Sequence, residues 1–448
     1  MQTDLLERQI PHLLDELADE HVPDYYHDLF SQTARTRQRP AWTIPERWLP
    51  MLEIARQPVV AQPPWRAFGL LLLLVGLITA GLVLAATRPK PPPPFGPAGN
   101  GLVVMSRDGD IYTVDTGTGA ETAIVTGPEI DSDPIWSQDG TTLLFRRASA
   151  DQPGADLLMV ARASGSGIKQ LTPQPMTGLT SMKVWSYWAP KLLYALSPDG
   201  RNVAFMSTVN GLPELFVGDT DGRAIAKLDI GAIPMSFAFD PVGQRLLVVG
   251  AQAFDGSYAG LYLIDQDGTH LQTLIEPTPD AQVHSRIAWS PDGSRIAYAR
   301  FEPGFVAGDR GGEAARKDLR IHIRATDGSS DIMIGEEDGP WWEAPKEWSP
   351  DGHRLLIERS LGDTYGAAIM DIDGHEPDVV PPFRSMDDWF EAWSPDGTMI
   401  LVTPGVVATV ADGPNGLPQQ LWDARTGEER PVSWIAASVP SWQRIGLP

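Results

Sequence analysis

The fold is decided by a short stretch in the second half of the chain, Ala288-Trp289-Ser290-Pro291-Asp292-Gly293-Ser294-Arg295-Ile296-Ala297-Tyr298. Here a strand that ends in an aromatic residue is followed by a turn and then by a second apolar strand. Proline fixes the backbone at the start of a tight turn, and glycine supplies the positive φ that such a turn requires. The stretch therefore predicts two antiparallel strands joined by a turn at residues 290–293.

The same pattern recurs along the chain with a period of about 50 residues, which is typical of a repeat protein. The six copies of the turn begin at Trp136, Leu196, Phe239, Trp289, Trp348 and Trp393. After each copy come an apolar second strand, a third strand that often ends in Asp before a glycine turn, and a more polar fourth strand. Four antiparallel strands per unit form the blade of a β-propeller, so the predicted fold class is all-β.

The two ends of the repeat region predict how the propeller closes. Residues 102–127 supply a second, a third and a fourth strand without a first strand before them, whereas residues 437–442 have the pattern of a first strand alone. Pairing the C-terminal strand with the N-terminal blade closes the ring and removes exposed sheet edges. Seven blades are therefore predicted. Six is the alternative, if the unit at Leu196 or the one at Phe239 is an insertion.

These motifs resemble those of a known family. Trp-Ser-Pro-Asp-Gly, followed by Ile-Ala-Tyr and later by Leu-Tyr-Leu-Ile-Asp, is similar to the TolB-like, WD-like β-propeller repeat over residues 100–448. The resemblance implies the fold and is nearly silent on function, because relatives of this kind include periplasmic scaffolds and the propeller halves of prolyl-oligopeptidase-type peptidases. The chain departs from TolB in lacking its separate N-terminal α/β domain.

Three segments precede the propeller. Residues 1–66 are predicted to form a short helical or irregular unit that carries a basic run at 33–40. Residues 67–86 contain no charged side chain, and twenty helical residues span the roughly 30 Å hydrocarbon core of a bilayer, so they are predicted to form one transmembrane helix. Residues 87–99 are rich in proline and predict an extended spacer between the membrane and the propeller.

The basic residues on either side of residues 67–86 predict the orientation. Arg47, Arg56 and Arg66 precede the segment, and the basic run at 33–40 lies further back, whereas only Arg88 and Lys90 follow closely. Basic residues concentrate on the cytoplasmic side of membrane helices. We therefore predict a single-pass protein of the cell membrane with a cytoplasmic N-terminus and an extracytoplasmic propeller.

Composition excludes several classes of function. The formal net charge of −23 repels phosphate backbones, so nucleic acid is not an expected partner. The absence of cysteine excludes disulfides, thiolate zinc sites and cysteine nucleophiles. Because no Gly-x-Ser-x-Gly, P-loop or His-Glu-x-x-His motif occurs, we expect no enzyme and no cofactor. Turns such as Asp265–Gly268 have glycine in the fourth position rather than the sixth of a calcium loop, so no metal site is expected either.

The candidate ligand site is aromatic and acidic. Three groups precede first strands, where loops of a propeller gather at the mouth of the central channel; they comprise Trp185, Tyr187, Trp188, Trp341, Trp342, Glu343, Asp387, Asp388, Trp389 and Glu391. Aromatic rings beside carboxylates bind a sugar, a peptide or a cationic group. The alternative interpretation is that the tryptophans fill the space between blades.

The sequence leaves three functions open. The first is a non-catalytic binding or scaffold module for a protein, peptide or glycan. The second follows from layout alone: a small cytoplasmic unit, one membrane helix and an exported sensor domain are typical of a transmembrane anti-sigma regulator, in which residues 1–66 would bind a transcription factor. The third is a propeller hydrolase with carboxylate catalysis at the channel mouth.

Overall fold

The computed structural model describes residues 65–86, 93, 96–172, 176, 193–209, 211–241, 243–253, 258–278, 282–301, 319–334, 341–361, 364–372, 389–403 and 417–447. The chain divides into two compact units, residues 1–86 and 87–448. In the first unit the described residues form one helix, α1, Trp65–Ala86. Of the predicted N-terminal unit, residues 1–64 lie outside the described residues, as does the transcription-factor partner predicted for it.

The side chains of helix α1 are described for residues 69–79, and apart from Thr79 these residues are apolar on every side of the helix. Leu70 to Val75, Leu77 and Ile78 each expose between 49% and 70% of their surface. The hydroxyl of Thr79 donates to the carbonyl oxygens of Val75 (2.8 Å) and Gly76 (3.0 Å), which satisfies it inside the helix. Within these described residues no helix is both long and apolar enough to cross a membrane.

The second unit consists of strands in the order that the repeats predict. The strands of its first four blades are β1 (Gly99–Arg107), β2 (Asp110–Val114), β3 (Glu121–Val125), β4 (Asp131–Trp136), β5 (Thr142–Ala148), β6 (Asp156–Arg162), β7 (Lys169–Gln170), β8 (Tyr194–Leu196), β9 (Asn202–Val209), β10 (Leu212–Asp219), β11 (Ala226–Leu228), β12 (Ile233–Phe239), β13 (Arg245–Ala251), β14 (Ala259–Asp265) and β15 (Gln272–Ile275).

The remaining strands complete three more blades and the closure. They are β16 (Gln282–Trp289), β17 (Arg295–Phe301), β18 (Leu319–Ala325), β19 (Asp331–Ile334), β20 (Trp341–Trp348), β21 (Arg354–Leu361), β22 (Thr364–Asp371), β23 (Trp389–Trp393), β24 (Met399–Thr403), β25 (Leu417–Asp423), β26 (Glu429–Ala436) and β27 (Ser441–Ile445).

These strands form seven antiparallel sheets, which confirms seven blades and shows that the alternative of six is wrong. Blade one is β27-β1-β2-β3, and blades two to seven follow in chain order from β4, β8, β12, β16, β20 and β23. In blade six the described residues supply three strands, β20-β21-β22. The weak units at Leu196 and Phe239 are blades three and four, because each contributes its own inner strand to a four-stranded sheet.

The C-terminal strand closes the ring, as predicted, but its bounds differ from the prediction. Inner strand β27 pairs with β1 through Ser441↔Val104 and Gly99↔Ile445. The predicted strand at 437–442 therefore begins four residues too early. Pro440 carries no backbone donor, and Ala437 instead donates to the carbonyl of Ser106 (2.8 Å), so regular pairing begins after the proline.

The repeated turn joins inner and second strands in blades two to seven, and its side chains complete it. In the copy at Ser290, Gly293 N–H donates to the Ser290 carbonyl (2.9 Å) and the glycine has a φ of +70°. The Ser290 hydroxyl donates to Asp292 (2.6 Å) and accepts from Arg295 N–H (2.9 Å). The motif residues are thus used within the turn, in agreement with the structural role predicted for them.

Neighbouring blades are joined at these turns by a repeated arginine–tryptophan contact. Arg295 follows the turn of blade five, and its guanidinium lies 5.0 Å from the ring centre of Trp348 in blade six. Arg354 covers Trp393 of blade seven in the same way, at 4.8 Å. The indole N–H of Trp348 donates to Ala288 of the preceding blade (3.1 Å). Tryptophans at the ends of inner strands therefore pack between blades.

The propeller has two distinct faces. The turn face carries the inner-to-second strand turns and the third-to-fourth strand turns, and these are hydrogen-bonded to each other, as between Thr326 N–H and the Ser294 carbonyl (3.0 Å). The loop face, at the opposite ends of the strands, carries the second-to-third strand connections. Two of these are long, because β17 ends at Phe301 and β18 begins at Leu319, and β24 ends at Thr403 and β25 begins at Leu417.

Candidate functional site

Only one of the ten predicted site residues has a described side chain, and it is Glu343. Trp185, Tyr187, Trp188, Asp387 and Asp388 lie outside the described residues. The backbone alone is described for Trp341, Trp342, Trp389 and Glu391. Ligand contact by these nine residues stays a prediction.

The backbone places two of the three predicted groups at the loop face, within inner strands rather than in the loops before them. Trp341 and Trp342 are the first two residues of β20, and Trp389 is the first of β23. Inner strands run from the loop face to the turn face, so their first residues lie at the loop-face end of the channel. Both inner strands include these residues because their backbones pair with the last residues of the second strands, through Trp341↔Leu361 and Trp389↔Thr403.

Inner strands in five blades contain a β-bulge a few residues before their final aromatic residue. The irregularities lie between Ser132 and Ile135, Pro234 and Ser236, Val283 and Ile287, Pro345 and Glu347, and Phe390 and Ala392. A bulge redirects a side chain and keeps an unpaired strand edge from pairing with another strand. The strands that line the channel are therefore locally irregular at one common level.

Glu343 forms a buried ion pair near the start of β20. Its carboxylate accepts from the guanidinium of Arg359 on β21 at 2.6 Å, and the two residues are cross-strand neighbours. The side chains expose only 2% and 6% of their surface. In this low-dielectric position neither charge is solvated by bulk water, so the pair holds its geometry through direct contact.

A second carboxylate on β21, Glu358, binds two cations. Its Oε1 lies 3.1 Å from the guanidinium of Arg286, which belongs to the bulge of blade five, and 3.6 Å from the ammonium of Lys346, which belongs to the bulge of blade six. We call Arg286, Glu343, Lys346, Glu358 and Arg359 the mouth cluster. It joins blades five and six at the loop-face half of their inner strands.

The environment of the mouth cluster keeps a neighbouring histidine neutral. Removal from solvent, together with the positive charge of Arg286, lowers the pKa of His284 to about 3. A protonated imidazole would add a further charge to a region that already holds two arginines and a lysine. His284 therefore acts there as an uncharged polar group at physiological pH.

Blade two carries a different charge cluster at its loop-face end. Arg147 donates to Asp131 through Nε at 2.7 Å, and Arg146 donates to Asp156 at 2.8 Å and also to Asp133. Asp133 has a φ of +50°, an uncommon conformation for a non-glycine residue. Its carbonyl accepts from the hydroxyl of Tyr194 in blade three. Burial opposes the charge of Arg146, but the surrounding carboxylates outweigh it and raise its pKa.

The two clusters differ in sign and lie on opposite sides of the channel. The blade-two cluster holds three carboxylates and two arginines, whereas the mouth cluster holds three cations and two carboxylates. Seven blades in chain order place blades five and six across the ring from blade two. Among the described residues, no group of three or more His, Cys, Asp or Glu side chains is arranged to hold a metal ion.

Sequence reasoning missed four of the five mouth-cluster residues. A signal was present, because Glu358 and Arg359 directly follow the apolar run Leu355 to Ile357. Charged residues at the end of a strand that is otherwise buried require partners. One of those partners, Arg286, comes from a bulge in another blade, and no local pattern reveals that contact.

Comparison with known proteins supports the fold and leaves the family open. No family model matches the chain. An uncharacterised protein of Agrobacterium fabrum is 29% identical over 113 residues, which are 24% of this chain and 39% of that protein. The chain thus spans well under half the length of that relative.

The solved structures that the chain resembles include two TolB proteins. TolB from Acinetobacter baumannii is 15% identical with a TM-score of 0.42, over 76% of this chain and 66% of that one. A putative TolB from Agrobacterium tumefaciens is 18% identical with a TM-score of 0.41, over 66% and 94%. A prolyl endopeptidase is 12% identical with a TM-score of 0.50, over 79% and 51%. At these identities the resemblance to solved structures concerns the fold alone.

Proposed function

We propose that the chain is a membrane-anchored, extracytoplasmic binding or scaffold module that catalyses no reaction. Its partner, a protein, peptide or glycan, binds on the loop face at the channel mouth. The observation that carries this proposal is the mouth cluster. A buried network of ion pairs contributes little stability compared with apolar residues of the same size. Its position on the inner strands of blades five and six and on the adjoining strand β21, close in sequence to the predicted aromatic residues Trp341 and Trp342, supports a role in recognition.

The turn face offers no comparable feature in the described residues. Its serines and aspartates are engaged within their own turns, as in the turn at Ser394, where the hydroxyl donates to Asp396 (2.6 Å) and accepts from Met399 N–H (2.9 Å). Binding residues are found more often on variable connections held by a rigid scaffold. The long loop-face connections after Phe301 and Thr403 fit that description.

The anchor is proposed from α1 and the sequence around it. Residues 70–75 cover more than one full helical turn, and each exposes an apolar side chain. Such a surface is stable in contact with lipid. The uncharged run continues in sequence from 67 to 86, with Arg66 before it and Arg88 after it.

Binding on the loop face is tested with purified full-length chain used as bait in membrane extracts. The wild type, the mouth variant Lys346→Gln/Glu358→Gln and the turn-face control Arg201→Gln are compared; Arg201 exposes 84% of its side chain. We expect one partner that the wild type and the control retain and the mouth variant loses. Equal retention by all three variants would refute a loop-face site. Turnover of a peptide or glycan that Glu343→Gln abolishes would refute the non-catalytic role.

Membrane anchoring is tested separately. We expect the chain to stay in the membrane pellet after an alkaline carbonate wash and Leu72→Arg/Leu74→Arg to be released. Because the chain has no cysteine, a single cysteine at the exposed position Thr398 reports orientation. Labelling of intact cells by an impermeant thiol reagent is the expected result. Release of the wild type by carbonate would refute the anchor.

A further inference from the structure

The loop face of blades two to four exposes large apolar side chains. Val209 and Leu212, cross-strand neighbours in the hairpin of β9 and β10, expose 37% and 48% of their surface. Ile130, which directly precedes β4, exposes 63%, and Tyr258, which directly precedes β14, exposes 42%. Single exposed apolar residues are ordinary, but several at one end of three neighbouring blades are typical of an interaction surface.

The same blades carry an excess of carboxylates at their loop-face ends. The basic side chains described there are all ion-paired: Arg146 with Asp133 and Asp156, Arg147 with Asp131, and Lys227 with Glu214. The remaining acidic residues are exposed, and none of them forms an ion pair in the described part of the chain; they are Glu129, Asp151, Asp229 and Glu276. The loop face of blades two to four is therefore negatively charged.

Unpaired carboxylates lie at the same ends of the blades as the exposed apolar side chains. The pairs that share a position are Ile130 with Glu129, Leu212 with Asp229, and Tyr258 with Glu276. The first two residues are adjacent in the chain. The other pairs follow from the antiparallel pairing of β11 with β10 and of β15 with β14, which brings the end of a fourth strand to the beginning of a third. We call the four apolar residues and the four unpaired carboxylates the loop-face rim.

The chemistry of the loop-face rim selects one kind of partner. Exposed apolar side chains are stabilised by burial against other apolar groups, and carboxylates attract cationic ones. The same negative charge repels nucleic acid and anionic lipid surfaces, and a neutral glycan gains nothing from it. A protein segment with lysine or arginine beside leucine-like side chains satisfies both features of the rim.

We infer that the loop-face rim binds a basic, apolar segment of a protein partner. This inference rests on the proposed function, in which a partner binds on the loop face, and it names the chemistry of that partner. The mouth cluster of blades five and six lies across the channel from the rim, so the two surfaces contact different parts of the same partner.

Two short labelled peptides test the preference for charge. One probe repeats Lys-Leu-Gly three times and the other repeats Glu-Leu-Gly three times, so they differ only in charge. Binding to the full-length chain in zwitterionic detergent is measured by fluorescence anisotropy at physiological ionic strength, with empty micelles as the blank. We expect the basic probe to bind at least about tenfold more tightly than the acidic probe, and added salt to reduce the difference.

Two variants of the loop-face rim separate its apolar part from its charge. Val209→Ser/Leu212→Ser should weaken binding of the basic probe about tenfold, because two side chains that the probe buries are removed. Glu129→Gln/Asp151→Asn/Glu276→Gln should weaken it about fivefold, since exposed ion pairs are individually weak. All five positions lie on the surface at the ends of strands, so both variants should fold as the wild type does.

Matched controls make the same kinds of change at exposed turn-face positions. They are Ile168→Ser/Leu271→Ser and Asp115→Asn/Asp267→Asn/Asp327→Asn. Each asparagine keeps the oxygen that accepts hydrogen bonds within its turn. The controls should change the affinity for the basic probe by less than about twofold, because salt screens charges that lie far from the binding site.

Three results would refute the inference. They are equal affinity for the two probes, equal affinity of the wild type and both rim variants, and an equal loss in the turn-face controls, which would indicate attraction to the whole acidic surface. None of these results removes the proposed function, which depends on a partner that the wild type retains from membrane extracts and the mouth variant loses. An extract without such a partner would instead count against the proposed function and leave the probe affinities unchanged.

Discussion

The turn face and the loop face of this propeller both carry the connections between adjacent strands, but they differ in how their polar groups are paired. On the turn face a four-residue motif is repeated from blade to blade, and each copy satisfies its own polar groups, as Ser349 does with Asp351 and with Arg354 N–H (2.9 Å). On the loop face, charged residues form pairs between strands and between blades, as Arg286 does with Glu358. Because the hydrogen bonds of each turn are made within that turn, the turn face is a repeated scaffold. The loop face instead depends on ion pairs between residues that are far apart in sequence, and such contacts differ from blade to blade.

The largest loss of folding stability is expected at Gly140, where the turn of blade two contacts the closing strand β27. A Cβ added to Gly140, which has a φ of +70°, would lie 2.2 Å from the carbonyl oxygen of Arg444. Backbone cannot move aside as a side chain can, so Gly140→Ala should destabilise the propeller by about 4 kcal/mol or more through strain and collision together. Urea unfolding followed by tryptophan fluorescence measures the change.

Gly397→Ala is the matched control for this prediction. Gly397 has nearly the same φ, +74°, but its added Cβ would meet only the ring of Pro350, at 3.5 Å. Gly397→Ala should therefore lower the free energy of unfolding by only about 1–2 kcal/mol, the cost of placing a non-glycine residue in the left-handed region. If the two variants lose the same stability, the contact between Gly140 and the closing strand β27 adds nothing, and the turns are equivalent in stability.

The second-largest loss of folding stability is expected on the loop face, at the ion pair of Glu343 and Arg359. Arg359→Met removes a cation that lies 2.6 Å from the buried carboxylate of Glu343 and should lower the free energy of unfolding by about 3 kcal/mol, since breaking a buried ion pair by removing one partner is strongly destabilising. The double variant Glu343→Leu/Arg359→Met replaces both charges by apolar groups and should recover most of that loss. A double variant as unstable as the single one, in the same urea measurement, would show that the pair is structural rather than retained for recognition.

The contrast between local turns and long-range ion pairs explains why the sequence predicted the fold well and the site much less well. The turn at Ser290 is encoded within six consecutive residues, so its pattern alone predicted both strands and, by repetition, the propeller. Ring closure by a C-terminal strand was predictable for the same reason, and only the bounds of that strand were wrong, because regular pairing begins after Pro440. The partners in the mouth cluster are separated by up to 72 positions, as Arg286 and Glu358 are, and nothing local relates them.

The third effect uses pH to probe several copies of the turn together. The pKa values of Asp292, Asp351 and Asp396 are lowered. Burial alone would raise them, but hydrogen bonds from the turn serine and from the N–H two residues later outweigh it. Carboxylates with a depressed folded-state pKa contribute stability above their unfolded value of about 3.9, and that stability is lost as pH falls through the folded value. The urea midpoint should therefore fall when pH decreases below about 4.

The triple variant Asp292→Asn/Asp351→Asn/Asp396→Asn isolates this contribution. It should be less stable than the wild type at pH 7 and should lose less stability on acidification, because three of the titrating groups are gone. The same replacement at Asp221, Asp267 and Asp327 of the outer turns, which are exposed, is the control and should change the pH dependence less. Equal pH profiles for the wild type and the first triple variant would contradict a stabilising role for these carboxylates.

The smallest change in stability is expected from a comparison of two fully buried serines, one whose hydroxyl forms hydrogen bonds and one whose hydroxyl has no partner among the described residues. Ser290 Oγ makes the two turn hydrogen bonds described above, so Ser290→Ala should cost about 1–2 kcal/mol. Ser236, on the inner strand of blade four, has a side-chain oxygen without a hydrogen-bond partner among the described residues. Ser236→Ala should therefore change stability by less than about 0.5 kcal/mol or increase it. A loss at Ser236 equal to that at Ser290 would indicate that the inner-strand hydroxyl binds a group in the channel, which would extend the loop-face site to blade four.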